Sequence, residues 1–218
     1  MGSPSDCVIL LHGLARTDRS MSKLQKALER AGYRVHNVSY DSTRNRISQL
    51  AEEAIGPGLQ LCQPAHKVHF VTHSLGGILV RQYLSCHNIE NLGRVVMLGP
   101  PNKGSEVVDR LRDFPGFRFI NGEAGLELGT GEGSVPRQLG AANFDLGIIA
   151  GTRSINLILS QWIAGPDDGK VSVESTRLEG MRDHLEMDVT HTFMMRNDKV
   201  IEQVIHYLEN GGFSPLQE

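Results

Sequence analysis

Short apolar runs alternate with stretches of helical periodicity along most of the chain. The first run, Cys7–Leu11, is apolar at every position, which is typical of a central strand buried on both faces. Residues 21–31 then carry apolar side chains at helical spacing, and Gly32 is placed to end that helix. Alternation of this kind predicts an α/β protein in which a mostly parallel central sheet is flanked by helices.

The same patterns predict four more strands and three more helices. The strands fall at residues 33–40, 67–71, 94–98 and 144–151. The helices begin near residues 47, 78 and 198, and the last of them ends near residue 209. We expect Gly56, Pro57 and Gly58 to interrupt the second helix of the chain, because both residue types disfavour helix interiors. No repeat or linker divides the sequence, so the pattern predicts one domain over residues 1–218.

Residues 104–140 form the longest interval without a clear pattern. The interval contains eight glycines and no recognisable strand. Long connections in a compact domain are either plain surface segments or functional ones. The sequence leaves two interpretations open here, a surface connection and a short lid-like insertion or binding loop over the site.

The bulk composition describes an ordinary globular protein and argues against several partners. The net charge is −3 and no run of lysine and arginine forms a basic stripe, which argues against nucleic acid or an anionic membrane surface. No apolar run approaches the roughly 18 residues that span a bilayer, so we expect no transmembrane segment. Residues 7–11 are too short for a signal-peptide core, which predicts a cytoplasmic protein, although Met1, Gly2 and Ser3 are typical of an expression remnant that replaces a removed leader.

The cysteines Cys7, Cys62 and Cys86 are an odd number and lack metal-type spacing. We therefore predict a reduced, buried thiol at each position and no metal site. Nothing in this pattern requires an oxidising compartment.

A serine lies where the strand at residues 67–71 gives way to a helix. Residues 72–77 read Thr-His-Ser-Leu-Gly-Gly, and this stretch resembles the Gly-x-Ser-x-Gly nucleophile elbow of α/β-hydrolases. In such a turn the backbone of Ser74 is strained, and the residues two before and two after it press together, which favours small side chains. Thr72 departs from the pattern, because a β-branched residue stands where the elbow has glycine.

Two later segments supply the groups that a serine nucleophile requires. A hydroxyl needs a base to take its proton and an acid to orient that base. Asp167 and Asp168 precede Gly169 in one segment, and His191 follows shortly before the last helix. The order of serine, aspartate and histidine is the one found in α/β-hydrolases.

Together with a His-Gly pair at residues 12–13, these motifs resemble the bacterial lipase and esterase branch of the α/β-hydrolases over nearly the whole chain. The resemblance implies a reduced α/β-hydrolase fold, since the chain enters almost directly at the strand before that pair. It implies Ser74 as nucleophile and His191 as base, with Asp168 rather than Asp167 as the acid. A reduced core with one short insertion implies an open site suited to small or medium acyl esters.

Three other histidines are weaker candidates for the base. His184 lies in a charged stretch that predicts a solvated surface, and His206 falls on the outer side of the last helix. His73 adjoins Ser74, but its side chain is expected to point away across the turn and to serve in packing.

The resemblance also implies where a developing oxyanion is bound. Such a site needs two N–H donors, each worth about 3 kcal/mol of barrier. The N–H of Leu75 comes directly after the nucleophile at the start of a helix, and the N–H of Leu14 follows the His-Gly pair. Because the backbone provides the donors, the Leu14 side chain is free to line an acyl pocket.

The sequence therefore predicts a serine carboxylic-ester hydrolase, of esterase or lipase type, that acts on a small-molecule acyl ester through an acyl-enzyme. No metal or organic cofactor is expected, because the triad needs none and no metal-ligand motif is present. The same triad also supports a thioesterase, an amidase or an acyltransferase. An inactive hydrolase-like binding protein is a further alternative, which Thr72 favours and the complete set of serine, aspartate and histidine opposes.

Overall fold

A six-stranded sheet forms the centre of the computed structural model, which describes residues 5–154, 161–163 and 165–216. Its strands are β1 (Cys7–Leu11), β2 (Arg34–Val38), β3 (Val68–His73), β4 (Leu92–Leu98), β5 (Leu146–Gly151) and β6 (Asp183–Met187). The α-helices are α1 (Ser22–Arg30), α2 (Ile47–Leu61), α3 (Leu75–Cys86), α4 (Glu106–Leu111), α5 (Phe117–Leu126), α6 (Val135–Gln138), α7 (Val173–Thr176) and α8 (Asp198–Asn210). The strands pair in the order β2-β1-β3-β4-β5-β6, and these pairings are all parallel. The predicted α/β fold with a parallel central sheet is confirmed.

The residues of β1 alternate between two cores, one on each face of the sheet. Cys7, Ile9 and Leu11 pack with α2 and α3, whereas Val8 and Leu10 pack with α1 and α8. All five are fully buried, as predicted for a central strand. Helices therefore cover both faces, and the carboxyl ends of the strands are left to form a site.

Helix α2 runs on to Leu61, so the prediction that Gly56, Pro57 and Gly58 interrupt it is wrong. Pro57 is exposed, while Gly58 is buried so closely on β1 that a Cβ there would lie 3.3 Å from the Ile9 side chain. Close packing of this face on the sheet outweighs the poor helix propensity of the three residues.

The charged stretch around His184 forms strand β6 and not the solvated surface that its composition predicts. This strand pairs with β5 on one side only and ends the sheet. An edge strand keeps its other side in solvent, so it tolerates charged side chains that hide the strand pattern in the sequence. His184 itself is half-buried, with its Nε2 atom 2.9 Å from the Thr176 hydroxyl oxygen.

Cys7 and Cys62 form a disulfide, so the prediction of reduced thiols is wrong for this pair. The bond joins the start of β1 to the residue that follows α2, 55 positions further along the chain. Cys86 also differs from expectation, because it is free but exposed. Spacing in the sequence could not show the pair, since only the packing of α2 on the sheet brings the two sulfurs together.

Within the described ranges, no helix is long and apolar enough to cross a membrane. In the same part of the chain, the ligand-type cluster of Cys7, His36 and Cys62 has its two sulfurs bonded to each other. Met1, Gly2 and Ser3 lie outside the described residues.

Helices α4, α5 and α6 lie within residues 104–140. The buried side chain of Arg81, on α3, bonds to Asn102 just before this segment and to two residues at its far end. The guanidinium donates to the Asn102 carbonyl and side-chain oxygens at 3.1 and 3.2 Å. It also donates to the carbonyls of Pro136 and Gly140, at 2.9 and 2.8 Å. All these acceptors are uncharged, and burial lowers the pKa of Arg81 to about 10. The Arg81 side chain thus holds the residues on either side of this segment close together.

Arg81→Met should lower the free energy of unfolding by about 2–4 kcal/mol, because several buried acceptors lose their donor at once. Arg81→Lys should fall between this variant and the wild type, since a single ammonium cannot serve both ends of the segment. Urea denaturation measures both. Arg30→Met, at an exposed position of α1, is the matched control and should change stability by no more than about 0.5 kcal/mol. A loss for Arg81→Met as small as the control's would mean that other contacts hold the segment.

Candidate active site

Ser74 occupies the turn between β3 and α3 with a strained backbone, at φ 52° and ψ −119°. A positive φ at a non-glycine residue costs about 1–3 kcal/mol and persists only where the surrounding structure imposes it. Here the Ser74 N–H donates to the Leu98 carbonyl at 2.9 Å, and the Ser74 carbonyl accepts from the Gly77 N–H at 3.0 Å. The turn is therefore held by β4 on one side and by α3 on the other.

Gly76 is the point of closest approach in this elbow. A Cβ atom on Gly76 would lie 2.6 Å from the carbonyl oxygen of Leu11, which belongs to the backbone of β1. Thr72, in contrast, is fully buried within β3 between its partners Leu11 and Met97. Glycine is therefore required at Gly76, two residues after the serine, whereas the position two residues before the serine accommodates Thr72.

The structure brings His191 and Asp168 together beside the elbow. The Nδ1 atom of His191 lies 2.7 Å from Oδ2 of Asp168, and both side chains are buried. The other carboxylate oxygen accepts the N–H groups of Lys170 and Val171, at 3.0 and 2.9 Å. Asp167 contacts the loop backbone, where its Oδ1 accepts a hydrogen bond from the N–H of Gly169. Asp168 is therefore held in place by its own loop while it contacts the histidine.

Ser74 and His191 line one cavity of about 390 Å³ at the carboxyl end of the sheet. The wall opposite the sheet comes from residues 104–140 and is largely apolar. It includes Val107, Val108, Leu111, Phe114, Phe117, Ile120 and Leu128. Among the hydrogen bonds of the described residues, none involves the Ser74 hydroxyl, so it is open to a ligand; in unliganded enzymes catalytic hydrogen bonds are often long.

The turn that carries Leu14 lies next to Ser74. A Cβ atom on Gly13 would lie 2.7 Å from Nδ1 of His73 and 3.1 Å from Cβ of Ser74, so only glycine fits there. The His12 ring stacks on Tyr40 at 4.0 Å, and the Tyr40 hydroxyl donates to the His12 carbonyl. Leu14 lines the cavity.

Leu75 provides the second candidate donor for an oxyanion. It is the first residue of α3, where the N–H group has no acceptor inside the helix. The positive end of the helix dipole lies at the same point. Leu75 follows Ser74 directly, which is the position that supplies an oxyanion donor in a nucleophile elbow.

His73 differs from the expectation that it points away from the site. It lines the same cavity as Ser74, its ring lies 4.8 Å from the His191 ring, and its Nε2 donates to the His191 carbonyl at 2.9 Å. Burial, and then the neighbouring His191, hold the pKa of His73 well below its ordinary value. His73 therefore stays neutral and positions the backbone of His191. The one feature of the sequence that could have indicated this role is the position of His73 directly before Ser74.

The free energy of unfolding should fall as the pH is lowered from about 7.5 to 5.5. The pKa of His12 is lowered by burial, as is that of His73, so the unfolded chain binds protons that the folded protein refuses. Stability is then complete above the ordinary histidine pKa of about 6.5 and is lost below it, by up to about 1.4 kcal/mol from His73. Urea titrations at several pH values measure the slope. His73→Gln should flatten it, whereas His87→Gln at an exposed position should not; equal slopes in all three proteins would contradict the assignment.

A parallel sheet with a serine elbow after β3 and a buried histidine–aspartate pair at its carboxyl edge is the arrangement of the α/β-hydrolases. Lipase BlEst2 of Bacillus licheniformis, in its mature form, superimposes with a TM-score of 0.68 at 18% identity over 94% of this chain and 92% of its own. A structure of the metagenome-derived lipolytic enzymes LipS and LipT gives 0.66 at 16% identity over 95% of both chains. The lipase of Staphylococcus hyicus gives 0.63 at 13% identity, over 91% of this chain and 92% of its own. These likenesses show the shared fold.

Within that class the chain belongs to the palmitoyl protein thioesterase family, whose model matches residues 7–134, more than half of the sequence. The matched region contains the turn that carries Leu14, the elbow at Ser74 and most of residues 104–140. No curated protein matches the sequence. The family membership makes the protein a hydrolase-type enzyme, in agreement with the predicted resemblance.

Proposed function

We propose that this protein is a serine hydrolase that cleaves acyl esters through an acyl-enzyme. The observation that carries the proposal is the 2.7 Å contact between His191 Nδ1 and Asp168 Oδ2, at the wall of the cavity that Ser74 also lines. Because a carboxylate can only accept, Nδ1 carries the ring proton and Nε2 is left free to receive one. The histidine is therefore held in the form that a general base requires.

The proposed reaction uses these groups in sequence. Nε2 of His191 takes the Ser74 proton while Oγ attacks the ester carbonyl, and the N–H groups of Leu14 and Leu75 stabilise the oxyanion. His191 then gives the proton to the departing alcohol oxygen, which leaves the acyl group on the serine. A water molecule, deprotonated by the same histidine, attacks the acyl-enzyme and releases the acid. Asp168 stabilises the imidazolium in both halves.

We propose that residues 104–140 cover the site and bind the acyl chain within a single domain. Support comes from Leu111, Phe117 and Ile120, which turn apolar surface toward the cavity that contains the serine. Burying the methylene groups of an acyl chain there is worth about 0.8 kcal/mol each. The cavity volume of about 390 Å³ suits small or medium chains and lies at the lower end of ordinary ligand pockets.

A thioester is the second candidate substrate, because the family whose model matches the chain is that of palmitoyl protein thioesterases. The proposed steps are unchanged for a thioester except that a thiol leaves in place of an alcohol. A thiolate is a weaker base than an alkoxide, so protonation by His191 matters less for its departure. The leaving atom therefore offers a way to separate the two candidates.

We propose an oxidising compartment for this protein in place of the cytoplasmic location predicted from the sequence. The Cys7–Cys62 disulfide supports this proposal, since such bonds persist mainly outside the reducing cytosol.

A fluorophosphonate probe tests the nucleophile. The folded wild type should be labelled at Ser74, and labelling should be lost in Ser74→Ala and retained in Ser85→Ala, a control on the exposed face of the same helix. p-Nitrophenyl hexanoate and the matching S-hexanoyl thioester then compare the two leaving atoms on one acyl chain. Equal labelling of Ser74→Ala and Ser85→Ala would remove Ser74 from its proposed role. So would the absence of labelling in a wild type that circular dichroism shows to be folded. Turnover of the thioester alone would make the protein a thioesterase.

A further inference from the structure

Arg16 and Lys170 line the same cavity as Ser74. Arg16 comes two residues after Leu14, and Lys170 two residues after Asp168, so the cations lie on the turns that carry the candidate oxyanion donor and the acid. Both charges lower the pKa of the buried His73 ring, which places them near one point of the cavity. Lys170 is exposed to solvent, and Arg16 is half-buried. Desolvation by the surrounding protein, and then the charge of Arg16, lower the pKa of the Lys170 ammonium.

Neither cation forms an ion pair with any residue in the part of the chain that the structure describes. Asp168 is the acidic group whose charge acts on Lys170, and it raises the pKa of the ammonium. Its two oxygens, however, already accept from His191 Nδ1 and from two backbone N–H groups. Asp168 thus attracts Lys170 through its charge but forms no direct ion pair with it, and the two cations repel each other.

This arrangement is unfavourable for the empty protein and favourable for an anionic ligand. Two like charges at one cavity repel each other, and the repulsion grows as the local dielectric constant falls. A bound anion would replace this repulsion with attraction. Such a pair of cations at the cavity wall therefore points to a ligand that carries negative charge.

We propose that the ester cleaved at Ser74 carries a phosphate group on its alcohol part, and that Arg16 and Lys170 bind this phosphate. The acyl chain gains most from the apolar wall of α4 and α5, so the charged group belongs to the other side of the ester bond. A phosphate bears between one and two negative charges and three acceptor oxygens, which lets it bond to cations on two separate turns. The products are the fatty acid and the phosphorylated alcohol.

This inference rests on the proposed hydrolase activity, and two ligands that differ only in the phosphate test it. They are 1-octanoylglycerol 3-phosphate and 1-octanoylglycerol, each assayed by release of octanoate. In the wild type, kcat/KM for the phosphorylated ester should exceed that for the neutral ester by at least about tenfold, as for a charge-assisted hydrogen bond. Arg16→Gln and Lys170→Gln should each reduce this ratio several-fold, and the double variant should bring it near one.

Matched controls remove a positive charge outside the cavity. Arg19→Gln and Lys199→Gln lie at exposed positions and should leave the ratio as it is in the wild type. Added salt should lower the wild-type ratio, because it screens the phosphate from the two cations. A wild-type ratio of one or less, or a ratio that the double variant leaves unchanged, would overturn the inference.

Binding to the Ser74→Ala variant separates this inference from the hydrolase proposal. Isothermal titration calorimetry should show 1-octanoylglycerol 3-phosphate binding about tenfold more tightly than 1-octanoylglycerol, whether or not the wild type turns either over. Glycerol 3-phosphate without the acyl chain should bind far more weakly. Equal binding of the two octanoyl ligands would refute the phosphate site even in an active hydrolase. Glycerol 3-phosphate binding as tightly as the acylated form would show an anion site unrelated to the ester.

Discussion

The Ser74→Ala variant should hydrolyse acyl esters at least about 10³-fold more slowly than the wild type while it keeps the same fold. The loss is large because in the proposed reaction the hydroxyl forms the covalent intermediate, and without it only the proposed oxyanion donors and substrate binding lower the barrier. Ser74→Ala combined with His191→Ala should be scarcely slower than either single variant, since the two residues act as one unit. Steady-state rates on p-nitrophenyl hexanoate measure this, with circular dichroism as the check on folding.

The alternatives that the sequence left open supply matched controls for the same experiment. His191→Ala should lose about as much activity as the serine variant, whereas His184→Ala on β6 should lose little. Asp168→Asn should lower kcat by about 10³–10⁴-fold, because the ring can no longer be held in the required tautomer. Asp167→Asn keeps an oxygen that accepts from Gly169 and should remain active. Loss of activity in Asp167→Asn but not in Asp168→Asn would mean that Asp167, and not Asp168, is the acid that orients His191.

Gly76→Ala should destabilise the protein by about 3 kcal/mol and lower kcat/KM by roughly a hundredfold. The added Cβ would lie 2.6 Å from the Leu11 carbonyl oxygen, so either β1 or the start of α3 must shift. A shift of α3 moves the Leu75 N–H and Ser74 together, away from the turn that carries Leu14. Urea denaturation gives the stability, and ester hydrolysis at saturating and limiting substrate gives the two kinetic constants.

Gly77→Ala, one position further along the same helix, is the control for this clash. A Cβ there would lie 3.0 Å from the sulfur of Met97, a flexible side chain that can move aside, and 3.3 Å from Cβ of Pro100, which needs to shift by only a few tenths of an ångström. Alanine also has the higher helix propensity, so the net change should stay within about 1 kcal/mol. Similar losses at Gly76 and Gly77 would mean that helix packing in general, and not the approach to Leu11, limits the elbow.

The local patterns of the sequence were enough for most of the sheet. Strand β1 is apolar at every position because it is buried on both faces, and strands of this kind are visible without any knowledge of their neighbours. Strand β6 was missed because it lies at the edge, where one side faces solvent and charged residues such as Asp183 and Glu186 are tolerated. The continuation of α2 through Pro57 was missed for a related reason, since its packing on β1 overrides the local preference.

The order of the motifs along the chain was likewise enough to propose Ser74, Asp168 and His191, because chemistry restricts which residue types can activate a hydroxyl and the fold restricts their order. Other features depend on residues that are distant in sequence and touch only after folding. Arg81 at the base of residues 104–140, His73 beneath His191, and the Cys7–Cys62 disulfide all belong to this group. So do Arg16 and Lys170, which lie more than 150 positions apart in the sequence and meet at one cavity. Short motifs reveal the residue types that each turn requires, because those requirements are local. Which side chains meet across a cavity depends on how distant segments pack, and only the tertiary structure decides it.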